Sequence, residues 1–270
     1  MIDNYTLQVI ASDFVPIEPY YTDVISIGMG QRYDVLVTAN MSNVASDFWI
    51  RAIPDSYCSE NDNTNGIKGI LHYSSDNSTI STPTTSAWSY DSNDCSGEPA
   101  ASIVPYLSLD ADSSADDTDD IAATVAYNSA NLYKWYLGDT TFLVDYADPT
   151  AAQVINGNTT FTDSSGVIEL STAGEWFYLI IETTFAVPHP IHLHGHDFFQ
   201  LASGTGTYAS ANATLNTSNP PRRDTAMLPG SGYLVIGFQA DNPGAWLCHC
   251  HIAWHTSEGK SLLALTLALT

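Results

Sequence analysis

The sequence of 270 residues predicts an all-β protein, a sandwich or Greek-key barrel repeated in two domains, and three observations carry that expectation. Short apolar stretches recur at intervals of roughly eight to twelve residues, the spacing of strands that bury alternate faces against a second sheet. No helical period is sustained long enough to build a bundle. Charged residues make up 14% and hydrophobic residues 44%, with Ser, Thr, Asn and Gly crowding the polar positions, a balance that suits exposed strands and turns rather than disorder. The length suffices for a core in each of two domains.

From residue 5 to residue 53 the runs TLQVIA, VISIG, YDVLVTA and DFWIRAI, cut by Pro, Gly and Asn, read as an antiparallel sheet. Residues 74 to 120 turn to Ser, Thr, Asp, Pro and Gly, and the tract ADSSADDTDD reads as a solvated connection. A first domain is therefore expected at 1–95, an acidic connection at 96–120 and a second domain at 121–270. In the second, FLVDY, VIELS, EWFYLIIET and YLVIGFQA read as strands, and DPTAAQVI as one helical turn.

The formal charge of −23 sets the partners the chain can take. A duplex or an anionic membrane surface would be repelled at nearly every orientation, so nucleic acid is excluded. No apolar window reaches the length of about eighteen residues that a membrane span needs, and MIDNYTLQVI carries neither a basic leader nor an apolar signal segment. Acceptor sequons at Asn4, Asn40, Asn77, Asn158, Asn212 and Asn216 predict a secreted, extracellular glycoprotein. Cys58 and Cys95 lie in polar, loop-like stretches and are expected to form a disulfide, worth roughly 3–4 kcal/mol in an oxidising compartment. Cys248 and Cys250 stand one residue apart in an apolar run, too close along one strand to bridge comfortably.

The histidines locate the chemistry. His72 stands alone and reads as an ordinary packed or surface residue, whereas four lie in HPIHLHGH (His189, His192, His194, His196) and three in HCHIAWH (His249, His251, His255). An extended strand would send His192, His194 and His196 to one face, so that imidazoles converge without a bend. The alternation of His249, Cys250 and His251 is more specific, because the thiolate must point to one face and both flanking imidazoles to the other. One strand would then serve two sites. Cys250 with His189 and His255 makes the two-histidine, one-cysteine set of a blue-copper centre. A structural zinc finger fits poorly, since its cysteines come in CxxC pairs.

The stretches HPIHLHGHDFF and NPPRRDTAMLPGSGYLVIGFQADNPGAWLCHCHIAWHTSEG resemble the carboxy-terminal copper motifs of multicopper oxidases, most of all the laccases of filamentous fungi. QVIASDFVPIEPYYTDVISIGMGQRYDVLVTAN is similar to the later part of a laccase second domain, and AYNSANLYKWYLG onward to the third. The resemblance implies cupredoxin-like Greek-key domains, one partial and one near complete. It implies type 1 copper on His189, Cys250 and His255, a type 2 ligand in His192, and type 3 ligands in His194, His249 and His251. It further implies one-electron oxidation of phenolic or aryl-amine donors near Trp254, coupled to four-electron reduction of O2 to water. His196 has no ligand role in the family and reads as a strand-end hydrogen-bonding residue. Asp241 and Glu258 are candidate proton carriers, and Arg222, Arg223 and Asp224 a structural corner.

The sequence also departs from the family. Such oxidases draw trinuclear ligands from four histidine motifs, and only two are present, with no HWHG or second HxH pair before residue 189. This implies the carboxy-terminal part of a longer oxidase, completed by a further amino-terminal cupredoxin domain. Five residues after His255, where blue-copper proteins place a weak axial Met and laccases often an apolar side chain, stands Lys260. Two alternatives remain: an electron-transfer protein using type 1 copper alone, and a noncatalytic fragment holding little metal.

Overall fold

The computed structural model describes residues 1–58, 60–73, 79–91 and 95–266, which divide into two compact units. Asn77 lies outside the described residues. The first unit comprises residues 1–28 and 32–106, the second residues 29–31 and 107–270.

In the first unit, β1 (Leu7–Ser12) is flanked by β2 (Val15–Thr22) and β3 (Tyr33–Leu36), both antiparallel to it. A separate hairpin joins β4 (Asp47–Arg51) to β5 (Lys68–His72). Tyr5, Leu7 and Phe48 form one small core, and Val9, Ile17 and Ile103 another. The run VISIG, expected as a strand, has no strand structure, and the segment before it supplies β2 instead. That segment carries Pro16 and Pro19, and it lies at the sheet edge, where a missing N–H costs no ladder bond. Arg51 clamps the buried Asp3 with two hydrogen bonds of 2.7 Å. Cys58 and Cys95 form the expected disulfide, with Cα atoms 6.0 Å apart.

The second unit is a two-sheet sandwich. Its elements, in chain order, are β6 (Asp117–Tyr127), β7 (Tyr133–Leu137), α1 (Thr150–Ile155), β8 (Val167–Leu170), β9 (Trp176–Thr183), β10 (His189–Leu193) and β11 (Phe198–Thr205). They continue with α2 (Tyr208–Ala211), β12 (Arg222–Arg223), β13 (Thr225–Leu228), β14 (Gly232–Gln239), β15 (Gly244–Cys250), α3 (Ala253–Ser257) and β16 (Ser261–Thr266). One sheet runs β13-β10-β15-β16-β8 and the other β12-β11-β14-β9-β6-β7. Phe177, Leu179, Ile181, Leu234, Ile236 and Phe238 from the larger sheet meet Ile191, Leu193, Ala226, Leu228, Cys248 and Leu262 from the smaller in one core.

WFYLII in β9 is apolar at every position because both its faces are covered. Alternate residues Trp176, Tyr178 and Ile180 belong to a second cluster on the outer face, packed with Ala111, Ala115, Tyr208 and Leu215. This corrects the reading of the acidic stretch as wholly solvated connection. Ala111 and Ala115 bury over β9, Asp116 accepts a hydrogen bond from the Trp176 N–H at 2.9 Å, and β6 opens at Asp117 in parallel pairing with β9. FLVDY is not a strand, whereas the helical turn expected in DPTAAQVI is α1.

Candidate metal centres

Both histidine motifs lie on neighbouring strands of the smaller sheet. β10 pairs antiparallel with β15, placing Ile191 opposite Cys250, His192 opposite His249 and Leu193 opposite Cys248. Directly opposite residues project to the same face, so the register sorts the side chains into two sets. Ile191, Leu193, Cys248 and Cys250 face the core, and His192 and His249 face away.

On the core face, the Cys250 Sγ lies 3.8 Å from Nδ1 of His189 and 3.5 Å from Nδ1 of His255. His189 enters on β10, two residues before Ile191 and so on the same face, and His255 returns on the short helix α3. Thr256 pins that return by donating from Oγ1 to the Cys250 carbonyl at 2.7 Å. Trp135 of β7 packs on both imidazoles, with ring centres 4.9 Å from His189 and 4.8 Å from His255. His189 and Cys250 are each 1% exposed. Burial, with a smaller contribution from the nearby Lys260, drives the pKa of His189 down to about 2 and that of His255 to about 4, so both rings are neutral and ready to donate a lone pair. Burial also raises the Cys250 thiol. A largely buried pocket with one soft sulfur and two neutral nitrogens is a donor set that a copper ion fits. Nε2 of His189 has no hydrogen-bond partner among the described residues, so aromatic packing and the Nδ1 contact with the Cys250 sulfur orient that ring.

The opposite face is built differently. Ligand atoms of His192, His194 and His249 lie within 4.8 Å of one another, and Nε2 of His194 faces Nε2 of His249 at 3.1 Å. His251 stacks on His249 at 5.8 Å and meets the His192 ring edge to face at 5.7 Å. Nδ1 of His192 donates to the Asp224 carbonyl at 2.7 Å and Nδ1 of His249 to the Cys250 carbonyl at 2.9 Å, which places the ring lone pair of each on Nε2. Burial, outweighing the Cys250 carbonyl contact, lowers His249 to about 4, and burial likewise lowers His194. His194 is nevertheless exposed, and His192, His249 and His251 are half-buried.

His196 departs from the expectation of a third imidazole on this face. β10 ends at Leu193, and Gly195 turns the chain at φ +73° with the Trp246 ring where a Cβ would sit. His196 packs instead against Phe238 and donates from Nδ1 to the His194 carbonyl at 3.2 Å. Trp254 is 64% exposed and meets the His255 ring edge on at 5.9 Å. Asp241 is exposed near His196, and Glu258 ends α3. Arg222 donates to the Leu107 carbonyl at 2.6 Å, as befits a structural corner. Asp224 does more: besides its carbonyl contact, its carboxylate lies 3.5 Å from Nδ1 of His192. His72 pairs with Asp47 in the first unit.

Three residues with a part in these centres were not singled out in the sequence: Trp135, Asp224 in its contact with His192, and Gly30. Gly30 has φ +85°, and a Cβ there would come within 2.6 Å of the His251 ring. Its neighbour Gln31 donates to the Thr225 carbonyl at 3.2 Å.

A two-sheet sandwich with a cysteine and two histidines on one side of a strand and an imidazole cluster on the other is the arrangement of a cupredoxin-like copper protein. The chain belongs to the multicopper oxidase family, whose models match residues 1–76 and 137–266. It is 44% identical over 270 residues to laccase-2 of Botryotinia fuckeliana, covering 97% of this chain and 45% of that protein. It is 40% identical over 268 residues to oxidoreductase OpS5 of Beauveria bassiana, covering 98% and 45%. The crystal structure of the laccase from Botrytis aclada matches with a TM-score of 0.90 at 42% identity, over 100% of this chain and 50% of that one. The chain thus spans about half the length of these relatives.

Proposed function

We propose that this chain is the carboxy-terminal portion of a laccase-type oxidase, with residues 1–95 a partial cupredoxin-like domain and 121–270 a near-complete one. The protein takes single electrons from phenolic or aryl-amine donors and passes four of them, with four protons, to O2 to give two waters. The observation that carries the reading is the placement of Cys250 Sγ between the Nδ1 atoms of His189 and His255, while the residues on either side of it carry imidazoles on the opposite face. Bound copper supplies one-electron redox chemistry on the first face and dioxygen reduction on the second.

The chain's own residues bind, orient and connect. His189, Cys250 and His255 are the type 1 ligands, His192 a type 2 ligand, and His194, His249 and His251 type 3 ligands. His255 is half-buried beside exposed Trp254, which supplies a flat apolar surface on which an aromatic donor can stack. The peptide from Cys250 to its two neighbours is the covalent route between the faces, reinforced by the His249 contact to the Cys250 carbonyl. The remaining donors of the open cluster come from a further amino-terminal cupredoxin domain. The disulfide and the exposure of Asn4, Asn40, Asn158, Asn212 and Asn216 support a secreted, extracellular glycoprotein. Among the described residues no helix is long and apolar enough to cross a membrane.

Metal analysis of the protein assembled with that domain tests the proposal. Four coppers and O2 uptake that ceases without a phenolic donor are the expected outcome. A second reading, an electron carrier, is favoured by the completeness of the Cys250 set within this chain; one copper with intense colour and no O2 uptake would establish it instead.

A further inference from the structure

Lys260 is 1% exposed, and its Nζ has no hydrogen-bond partner among the described residues. An amine so placed is expensive to bury unless something receives its lone pair or balances its charge. The sheet register says what lies beside it. β15 and β16 pair antiparallel with His249 opposite Ser261, and one step beyond the ladder Cys250 stands against Lys260, whose carbonyl accepts the Cys250 N–H at 3.2 Å. Opposite residues leave an antiparallel pair on the same face, with Cβ atoms about 5 Å apart. The Lys260 stem therefore rises on the side of the Cys250 sulfur. Its Nζ rests 4.0 Å from the centre of the Trp135 ring, the same ring that packs on His189 and His255. A cation–π contact holds the amine within the wall of the three-donor pocket and away from solvent.

We propose that Lys260 supplies its neutral amine as a fourth donor to the metal held by His189, Cys250 and His255, an inference that rests on reading that trio as a metal site. On ligation the ammonium gives one proton to solvent and its nitrogen lone pair goes to the metal, with no electron transferred. A strong nitrogen donor replaces the weak or absent axial ligand of a trigonal blue-copper centre, and the site becomes four-coordinate with three nitrogens and one sulfur. Such a site favours the cupric ion more than a trigonal site does, so its thiolate-to-copper band and its reduction potential both differ from those of a site without the amine.

The test is electron–nuclear double resonance on copper-loaded protein grown with 15N-lysine, alongside Lys260→Met and Cys250→Ser. The only other lysines are Lys68, exposed in the first unit, and Lys134, on the opposite face of β7 from Trp135. The expected result is a 15N-lysine coupling to copper in the wild type that vanishes in Lys260→Met, with a shift of the Cys250-dependent visible band. Should Lys260→Met fail to fold, the coupling in the wild type decides alone. A Cys250-dependent band without lysine coupling overturns the fourth donor and leaves the three-donor site standing. No Cys250-dependent band in either the wild type or Lys260→Met overturns both.

Discussion

The two faces of β15 carry donors from the same short stretch of sequence, yet they are held by different means. On the Cys250 face the three donors all come from this chain, His189 and Cys250 are buried and His255 is half-buried, and the rings are set by packing against Trp135 and Phe185. On the His249 face the imidazoles are half-buried or exposed, and backbone carbonyls of Asp224 and Cys250 fix two of them. Packing holds a largely buried, low-dielectric pocket, while carbonyl contacts fix a tautomer and turn Nε2 of each ring toward the cluster. The period of two in a strand is what lets such unlike environments share one segment.

Removing the packing should damage the first face most. Trp135→Ala deletes a buried side chain, 2% exposed, from beneath two imidazoles and the Lys260 amine. The expected cost is about 3–5 kcal/mol of stability, read by denaturant unfolding of the metal-free protein, together with loss of the Cys250 band. Copper uptake by the His249 face should survive in whatever fraction folds; its parallel loss would show that the faces are not independent.

Acid bears next on the most buried of the imidazoles. His189 has a pKa of about 2 when folded against 6.5 for an ordinary histidine, so between those values the unfolded chain binds a proton that the folded protein does not. The metal-free protein is therefore at full stability above pH 6.5 with respect to this group and loses it as pH falls, by up to about 1.4 kcal/mol per unit. His189→Leu should flatten that slope in thermal melts at pH 4–6.5. An unchanged slope would assign acid sensitivity to other groups, His249 and His255 first among them.

Gly30→Ala is the mildest probe and addresses the second face alone. Both the positive φ and the approach to His251 oppose a Cβ, for a cost on the order of 1 kcal/mol or more. Displacement of the His251 ring should lower copper content at the cluster and leave the Cys250 band unchanged. Loss of the band as well would mean that this turn supports both centres.

Much of this was legible because it is local. The alternation in HCHIAWH puts Cys250 and its neighbours on opposite faces wherever the strand lies, and apolar runs such as YLVIGFQA became β14. What was not legible depends on distant partners. VISIG and FLVDY are apolar enough for strands, but pairing decides, and β2 formed through two prolines because it occupies an edge. The acidic tract reads as solvent-exposed, and its Asp side chains do not reveal that Ala111, Ala115 and the start of β6 cover and pair with β9. Trp135 and Gly30 stand far from Cys250 in sequence, and nothing in YKWYL or GMGQR marks them as neighbours of the centres. His196 shares the spacing of its ligand neighbours and is turned away by one glycine.

On the proposed reading the Cys250 sulfur binds copper on one face of β15 while imidazoles bind it on the other. Copper-edge X-ray absorption on the loaded protein, with Cys250→Ser beside it, addresses this most directly. One sulfur scatterer is expected in the coordination sphere of a fraction of the copper, absent in the serine variant, with nitrogen scattering retained in both. Copper surrounded by nitrogen and oxygen alone in the wild type would contradict it.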